Sequence, residues 1–378
     1  MSEDNNLPHH GVALALSGGG FRATLFHIGS LWRLNELGWL PKIDRLTSVS
    51  GGSITAGYLG YRWADLSFEN NIATNYAEVV SIPLRNFCAR TIDVPGILKG
   101  IFSGPFATAG DYLSGAYEKY LFAGKRPTLA TLPEKDAGPE IILYGSNYQS
   151  GVSLRMSRAY VSDYRVGSWH DPDMTLAKAI AVSSAFPPLF SPIILKTDPA
   201  KWHRTEYADL FDEPRYRARL VLADGGVYDN MGIEAIWKRY ETVLVSDAGA
   251  PLTPKPGLAL ARWSATKEML RVLGIATEQQ RALRKRWLID DFKTGRQKGT
   301  YWGITTQIND YRLADALAHD SALTGSLKSV RTRLNAFSGD EQGRLINWGY
   351  ALADTAMRRH VLSSPAPAPS WPIPEFPL

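Results

Sequence analysis

Apolar runs alternate with stretches of helical periodicity along the N-terminal part of the chain. Residues 12–16 form a continuous apolar run, which is typical of a buried strand. Residues 21–37 carry apolar side chains at helical spacing and end at Gly38, a frequent helix C-cap. Residues 46–49 predict a second strand and residues 52–63 a second helix. This alternation predicts a parallel sheet with crossover helices.

The same patterns predict further elements downstream, which become mainly helical beyond residue 250. The predicted strands are residues 140–144, 152–156, 220–223, 242–245 and 301–306. The predicted helices are residues 77–90, 110–121, 174–184, 234–240, 258–292, 323–337 and 340–359. Residues 91–105 mix apolar side chains with Gly and Pro, which fits either a mobile apolar cover or an ordinary connector. We therefore divide the chain into an α/β part (8–250), a helical extension (251–362) and a Pro-rich tail (363–378).

The composition is that of a globular protein in a reducing compartment. The 378 residues, 44% hydrophobic and 21% charged, are enough for one large α/β domain with additions. The one cysteine, Cys88, excludes an internal disulfide. The polar N-terminus lacks the regions of a signal peptide, and no apolar run approaches the ~20 residues of a membrane span. We expect a cytoplasmic protein that can also lie peripherally on a membrane.

The charged residues limit the classes of binding partner that we expect. The formal net charge of +5 is compatible with anionic lipid or nucleic acid. We find no aromatic and basic alternation suited to nucleic acid and no metal-ligand spacing, so we expect no nucleic acid partner, no metal and no cofactor. A basic cluster at Arg281, Arg284, Lys285 and Arg286 fits either lipid head groups or a solvated helix face.

Two glycine-rich turns each follow a predicted strand and open a predicted helix. The first contains Gly18, Gly19 and Gly20, followed by Arg22. Its spacing fits a dinucleotide phosphate cradle with Asp44 downstream, an oxyanion hole of backbone N–H groups, or a plain tight turn. In the oxyanion interpretation, Arg22 either adds positive charge or fixes the loop.

The second turn places Ser50 between a strand and a helix. A sharp strand–turn–helix elbow lifts a serine hydroxyl clear of a sheet and requires small residues two positions before and after it. Those positions hold Ser48 and Gly52. The usual pattern is G-x-S-x-G, so Ser48 is a departure, and serine enters positive φ less readily than glycine. The pattern indicates either a nucleophile elbow or a Ser-Gly loop.

Asp224 is the best candidate for a general base. It ends a predicted strand and precedes Gly225 and Gly226, which allow the chain to turn tightly. The same Asp-Gly pair is also a common hairpin-turn signal, so the residues alone leave both interpretations open.

In combination, these motifs resemble the patatin-like phospholipase family. The resemblance lies in the order of the Gly18-Gly19-Gly20-x-Arg22 turn, the Ser50 elbow and Asp224-Gly225-Gly226, with AVSSAFPPLFSP at residues 181–192. It covers roughly residues 11–250 and implies a three-layer α/β/α fold with a mainly parallel central sheet and a helical C-terminal extension. It also implies a lipid or phospholipid acyl hydrolase with a Ser50–Asp224 dyad and an oxyanion hole formed by Gly18, Gly19, Gly20 and Arg22.

Three alternatives stay open. An α/β-hydrolase would use His319 or His360 as its base. A dinucleotide-binding protein would use Gly18, Gly20 and Asp44. A catalytically silent relative would bind lipid without hydrolysing it.

Overall fold

A single large sheet, flanked by helices, organises the chain. The computed structural model describes residues 9–93, 109–254 and 265–378. The strands are β1 (His9–Leu16), β2 (Ile43–Ser48), β3 (Phe68–Glu69), β4 (Ile72–Ala73), β5 (Glu140–Asn147), β6 (Ser153–Met156), β7 (Tyr160–Asp163), β8 (Gly167–His170), β9 (Ile193–Lys196), β10 (Trp202–His203), β11 (Arg219–Asp224), β12 (Tyr240–Asp247) and β13 (Lys298–Gly303). The α-helices are α1 (Gly20–Glu36), α2 (Gly51–Tyr61), α3 (Ile82–Cys88), α4 (Ala109–Ala116), α5 (Leu176–Ser183), α6 (Arg215–Ala218), α7 (Gly226–Asp229), α8 (Ala265–Lys293), α9 (Ala322–Ser326) and α10 (Gly339–His360). Two π-helical segments, Ala77–Ser81 and Tyr117–Leu121, adjoin α3 and α4.

The sheet has a parallel half and an antiparallel half. Within the described residues it holds eleven strands, and the main path runs β10-β8-β7-β6-β5-β2-β1-β12-β13. Strands β5, β2, β1, β12 and β13 run parallel to one another. Strands β6, β7, β8 and β10 extend the other edge as antiparallel neighbours. The predicted mainly parallel core is therefore confirmed, with an antiparallel edge added to it.

Strands β2 and β11 approach each other end to end along the same neighbour, β5. Strand β2 is parallel to β5 and ends with Ser48 opposite Leu143. Strand β11 runs antiparallel to β5 and ends with Asp224 opposite Gly145. Because the two strands run in opposite directions, their carboxyl ends meet. The turn that follows β2 and the turn that follows β11 are thereby brought together.

Helices cover both faces of the sheet. Alternate side chains of a strand point to opposite faces, and β1 shows this directly. Leu14 and Leu16 belong to the core that contains α1, α2 and α10. Ala13 and Ala15 belong to a second core with Leu288 of α8. These two cores make the fold a three-layer α/β/α arrangement, as predicted.

The C-terminal helices pack into these layers. Helix α10 lies against α1 so closely that a Cβ added at Gly29 would be 1.8 Å from the carbonyl oxygen of Ile346. The Pro-rich tail returns to α10, where the Asn347 side-chain amide donates to the carbonyl oxygens of Ile373 and Phe376 at 2.8 and 2.7 Å. The division of the chain at residues 250 and 362 stays a prediction.

Most predicted elements are present, but two predicted helices are wrong. Residues 234–239 form turns and Tyr240 begins β12, because the N–H of Ala235 donates to the Tyr144 hydroxyl and Lys238 has a φ of 61°. Residues 323–337 contain only the short α9 and a 3-10 turn. There the backbone carbonyl oxygens bond to other parts of the chain. That of Arg333 accepts from the N–H of Phe21, and that of Leu334 accepts from the N–H of Ile92.

Some predictions fall partly outside the described residues. They include residues 94–105 of the segment interpreted as either a cover or a connector, and residues 258–264 of the predicted long helix. The remainder of that long helix is confirmed as α8.

Candidate active site

The two glycine-rich turns and Asp224 line one cavity at the carboxyl ends of the parallel strands. The cavity has a volume of about 690 Å³. All of the predicted oxyanion residues line it, together with Ser50 and Asp224. Most of the cavity surface is apolar, and its large apolar side chains come from four parts of the chain: Phe186, Leu189, Phe190, Pro251, Leu252, Leu270 and Leu334. The structure therefore brings the sequence-predicted groups together beside an apolar surface.

Ser50 sits on a strained elbow. It precedes α2 with φ 51° and ψ −119°, a conformation that L-residues rarely adopt. Its N–H donates to both the carbonyl oxygen and the Oγ of Ser183, at 3.1 and 3.0 Å. A Cβ added at Gly52 would lie 2.4 Å from the carbonyl oxygen of Leu16, so a larger residue does not fit there. The local geometry is that expected of a nucleophile elbow.

Ser48 takes part in a chain of serine hydroxyls beneath the elbow. Its Oγ is 2.9 Å from the Oγ of Ser53, which is 2.8 Å from the Oγ of Ser183. Ser183 in turn accepts from the N–H of Ser50. Ser48 does not have a positive φ, so the departure from glycine causes no backbone strain at this position. Its hydroxyl instead joins the hydrogen-bonded support of Ser50.

The Asp224 carboxyl group contacts the Ser50 hydroxyl and is almost completely buried. Burial raises its pKa from 3.8 to about 7, although hydrogen bonds from the Gly226 N–H and the Ser50 hydroxyl oppose the shift. The Gly226 N–H donates to Oδ1 at 2.7 Å. The backbone of Asp224 is held on both sides, because its N–H donates to Ala185 and its carbonyl oxygen accepts from the Ser146 hydroxyl. A carboxylate with this pKa can accept a proton near neutral pH.

The glycine loop offers fewer free donors than the sequence predicts. The N–H of Gly18 donates to the carbonyl oxygen of Asn230 at 3.0 Å, so it is not available to an oxyanion. The N–H groups of Gly19 and Gly20 have no acceptor within the described parts of the chain. Gly20 begins α1, so these donors lie at a helix N-terminus. The available donors are therefore those of Gly19 and Gly20.

The Arg22 side chain fixes the glycine loop by hydrogen bonds to backbone carbonyl oxygens elsewhere in the chain. Its Nε and Nη2 donate to the carbonyl oxygen of Ala248 at 3.1 and 2.9 Å, and its Nη1 donates to that of Val330 at 2.8 Å. Burial lowers the pKa of Arg22 to about 10, which leaves it cationic at neutral pH. Of the two functions that the sequence offered for Arg22, these bonds carry out the second, the fixing of the loop.

The residues of the alternative interpretations lie elsewhere. Asp44 is near the start of β2, where Oδ2 accepts from the N–H of Val12 at 2.7 Å, at the opposite end of the strand from the glycine turns. Among the described residues, no histidine lines the cavity, and His360 instead packs its ring against Tyr311. The buried His27 contacts the Ser17 carbonyl oxygen and the Ser246 hydroxyl, and burial lowers its pKa to about 4.

Neither a metal-ion site nor a membrane-spanning helix is present among the described residues. Within them, no group of His, Cys, Asp or Glu side chains is arranged to hold a metal ion. Over residues 9–93, 109–254 and 265–378, none of the helices has the length and apolar character needed to cross a membrane.

Ser183 and Asn230 support the site without having been predicted, and Arg281 is 7% exposed rather than on the lipid-facing or solvated helix face that the sequence suggests for it. Ser183 holds the Ser50 amide, Asn230 holds the Gly18 amide, and Arg281 of α8 joins the cavity wall to the sheet. Arg281 Nη1 donates to Asp247 Oδ2 at 2.7 Å. Burial by itself would raise the pKa of Asp247, but the positive charge of Arg281 holds that pKa at about 2. Ser183 lies in the quoted segment 181–192, which was the one available signal for it.

Comparisons with known proteins bear on the family and the fold of the chain. The sequence model of the family described as patatin-like phospholipase matches residues 14–237. A search of curated proteins found no match. Human GIVD cytosolic phospholipase A2 is similar in fold, with a TM-score of 0.51 and 12% identity over 95% of this chain and 62% of that one. Its complex with methyl gamma-linolenyl fluorophosphonate gives a TM-score of 0.53 and 15% identity over 94% and 58%. VipD from Legionella pneumophila aligns over 93% of this chain and 67% of its own, with 16% identity and a TM-score of 0.38. The chain thus spans about three fifths of the human protein.

Proposed function

The chain belongs to the patatin-like phospholipase family, and on that basis we propose that it is a serine lipid acyl hydrolase. It cleaves a carboxyl ester of a lipid or phospholipid through an acyl-Ser50 intermediate. The observation that supports this most directly is the contact between the Ser50 hydroxyl and the buried Asp224 carboxyl group, whose pKa of about 7 suits a general base. The apolar wall beside these groups suits an acyl chain.

The first half of the reaction forms the acyl-enzyme. Ser50 Oγ attacks the ester carbonyl carbon while its proton passes to the Asp224 carboxylate. The N–H groups of Gly19 and Gly20 stabilise the negative charge on the carbonyl oxygen, since they have no other acceptor in the described residues. The bond to the leaving alcohol then breaks, and Asp224 returns the proton to the alkoxide oxygen. An ester between Ser50 and the acyl group remains.

The second half releases the fatty acid. Asp224 takes a proton from water, and the resulting hydroxide attacks the acyl carbon. The bond to Ser50 Oγ breaks, and the proton returns from Asp224 to Ser50. Both groups are then restored, with no net change in charge or protonation.

A lipid-like fluorophosphonate tests this proposal, because such probes label activated serines without requiring the natural substrate. The human phospholipase was solved with a probe of this class. We expect a covalent adduct on Ser50 whose rate of formation rises with pH and levels off above about 7, because Asp224 must be ionised to accept the proton. Peptide mapping locates the adduct, and its time course at a series of pH values gives the midpoint.

Two variants make the test specific. Asp224→Asn should reduce labelling by at least ~100-fold above pH 7, where the wild-type carboxylate is ionised, and should abolish the rise of labelling with pH. Asp163→Asn is the matched control, because burial also raises the pKa of this carboxyl group but it does not line the cavity; it should label like the wild type. Near-normal labelling of folded Asp224→Asn would exclude the dyad. Failure of the folded wild type to label, with lipid binding retained, would instead favour a silent lipid-binding protein.

A further inference from the structure

Helix α8 has one face on the cavity and an apolar face in solvent. Leu270, Gly274 and Arg281 line the cavity. On the outward side, Met269, Val272 and Ile275 follow one another at three-residue spacing and are 70%, 59% and 44% exposed. We call these three residues the apolar stripe. Side chains so exposed and so regularly spaced indicate a surface that meets an apolar phase.

Two cations next to the stripe have no carboxylate partner. Lys267 and Arg271 line the cavity one helical turn apart, and within the described residues neither forms an ion pair. Arg271 donates to the carbonyl oxygen of Thr253 at 3.1 Å. Glu268 lies between them in sequence, so the turn keeps a net positive charge.

The other cationic side chains that line the cavity already have ion-pair or hydrogen-bond partners. Arg281 pairs with Asp247 and Glu278, and Arg333 pairs with Asp93. The guanidinium of Arg22 is bonded to backbone carbonyl oxygens. Lys267 and Arg271 are therefore the cavity cations best placed to meet an external anion.

The cavity runs along α8 from the catalytic residues toward this end of the helix. Arg281 is next to Gly249 and thus close to the glycine loop. Arg271 lies ten residues earlier, which corresponds to about 15 Å along the helix axis. Lys267 is exposed, one turn further on. The exposed end of the cavity therefore coincides with the apolar stripe and the unpaired cations.

We propose that residues 267–275 of α8 dock on an anionic lipid bilayer. The apolar stripe inserts among the head groups, and Lys267 and Arg271 contact lipid phosphates. The choice of a bilayer over an acidic protein rests on the proposed function, because a lipid ester has to pass from a membrane into this cavity. Two further observations do not depend on the proposed function: Lys267 and Arg271 carry the charge that complements an anionic surface, and the apolar stripe lies at the exposed end of the cavity.

Vesicle binding by the full chain tests the surface. The probes are vesicles of phosphatidylcholine alone and of phosphatidylcholine with phosphatidylglycerol, in a flotation assay. The wild type should bind the anionic vesicles more tightly. Lys267→Gln with Arg271→Gln should weaken that binding roughly 10- to 30-fold, since each basic residue near an anionic surface contributes about 1 kcal/mol. Met269→Ser with Val272→Ser should weaken it roughly tenfold or more.

Two control variants remove comparable exposed groups, two positive charges and one large hydrophobic side chain, outside α8. Lys42→Gln with Lys135→Gln removes two exposed charges that precede β2 and β5, at the amino end of the sheet. Tyr207→Ser removes a side chain that is 68% exposed and follows the edge strand β10. Both controls should bind anionic vesicles like the wild type.

A soluble ester separates this inference from the proposed function. Met269→Ser with Val272→Ser should hydrolyse monomeric p-nitrophenyl butyrate at the wild-type rate and lose activity only on vesicle lipid. If both α8 variants bind anionic vesicles as their controls do, or if the wild type binds neither vesicle, the docking surface is excluded. If the folded wild type fails on the soluble ester, the proposed hydrolysis is contradicted, while the binding data still decide the docking surface.

Discussion

The hydrogen bonds of single serine residues position the proposed nucleophile. Among the described residues, Ser183 alone accepts from the Ser50 N–H, through both its carbonyl oxygen and its hydroxyl. Ser183 also belongs to the end of α5, and the neighbouring Ala185 accepts from the N–H of Asp224. One short segment therefore sets the relative position of Ser50 and Asp224. A shift of this segment would separate the two reacting groups even if the rest of the fold stayed intact.

Replacement of the Ser183 hydroxyl should slow catalysis without weakening substrate binding. We expect Ser183→Ala to lower kcat for a soluble ester by up to roughly 100-fold with little change in KM, because small misplacements of a nucleophile act on the chemical step. Ser48→Gly is the comparison, since it removes the far end of the hydroxyl chain and leaves the Ser53–Ser183 contact in place. That variant should stay within a few-fold of the wild type. A wild-type kcat in folded Ser183→Ala would exclude the positioning function.

At the scale of elements, the contact between α1 and α10 carries much of the core. Helix α1 is buried along almost its whole length, including its charged Arg33, whose guanidinium pairs with the equally buried Asp354 at 2.8 Å. The two helices touch through glycines: a Cβ added at Gly349 would lie 2.0 Å from the carbonyl oxygen of Phe26. Backbone on both sides of this contact leaves no flexible side chain to move away. The close approach of the helices thus depends on glycine.

A methyl group at this contact should destabilise the protein. We expect Gly349→Ala to lower the free energy of unfolding by about 1–3 kcal/mol, because overpacking outweighs the higher helix propensity of alanine. Urea titration followed by circular dichroism measures the change. Gly115→Ala in α4 is the control, because an added Cβ there meets nothing within 4 Å. It should be neutral or stabilise by up to about 1 kcal/mol, and equal behaviour of both variants would contradict the packing argument.

At the scale of the whole molecule, the C-terminal part of the chain adds a strand to the sheet and covers both of its faces. Strand β13 pairs with β12 over residues 298–303, α8 covers one face, and α10 covers the other. Ile373 in the tail is 4% exposed. The sheet would have an open edge and α1 would lose its main partner if the chain ended soon after β12. The family match to residues 14–237 therefore covers less than the whole of this packing.

A chain truncated after residue 254 should not fold independently. Loss of α10 would expose the apolar side of α1, and loss of β13 would leave β12 as a free edge strand. We expect a fragment without a cooperative unfolding transition, which calorimetry and near-UV circular dichroism can measure against the full chain. A cooperative transition in the fragment would support the predicted division at residue 250 as a true domain boundary.

Local patterns in the sequence were enough to predict the parallel core and the turns that carry the proposed reacting groups. An elbow at Ser50 needs small neighbours within two residues, and a tight turn needs consecutive glycines, so both leave a signal in a few adjacent positions. The strands and helices up to residue 63 follow from periodicity for the same reason. The parts that failed, residues 234–240 and 323–337, have backbone groups bonded to Tyr144, Phe21 and Ile92, far away in the chain.

Only the tertiary structure decided how these local parts meet. The end-to-end approach of β2 and β11 on β5 brings Asp224 to Ser50, and no local pattern encodes that antiparallel pairing. Burial then raises the pKa of Asp224, and the Asn230 carbonyl oxygen accepts from the Gly18 N–H, which removes that group from the proposed oxyanion donors. Hydrogen bonds and desolvation depend on distances between groups that folding brings together. Sequence therefore determined which groups are present, and the fold determined which of them remain available for chemistry.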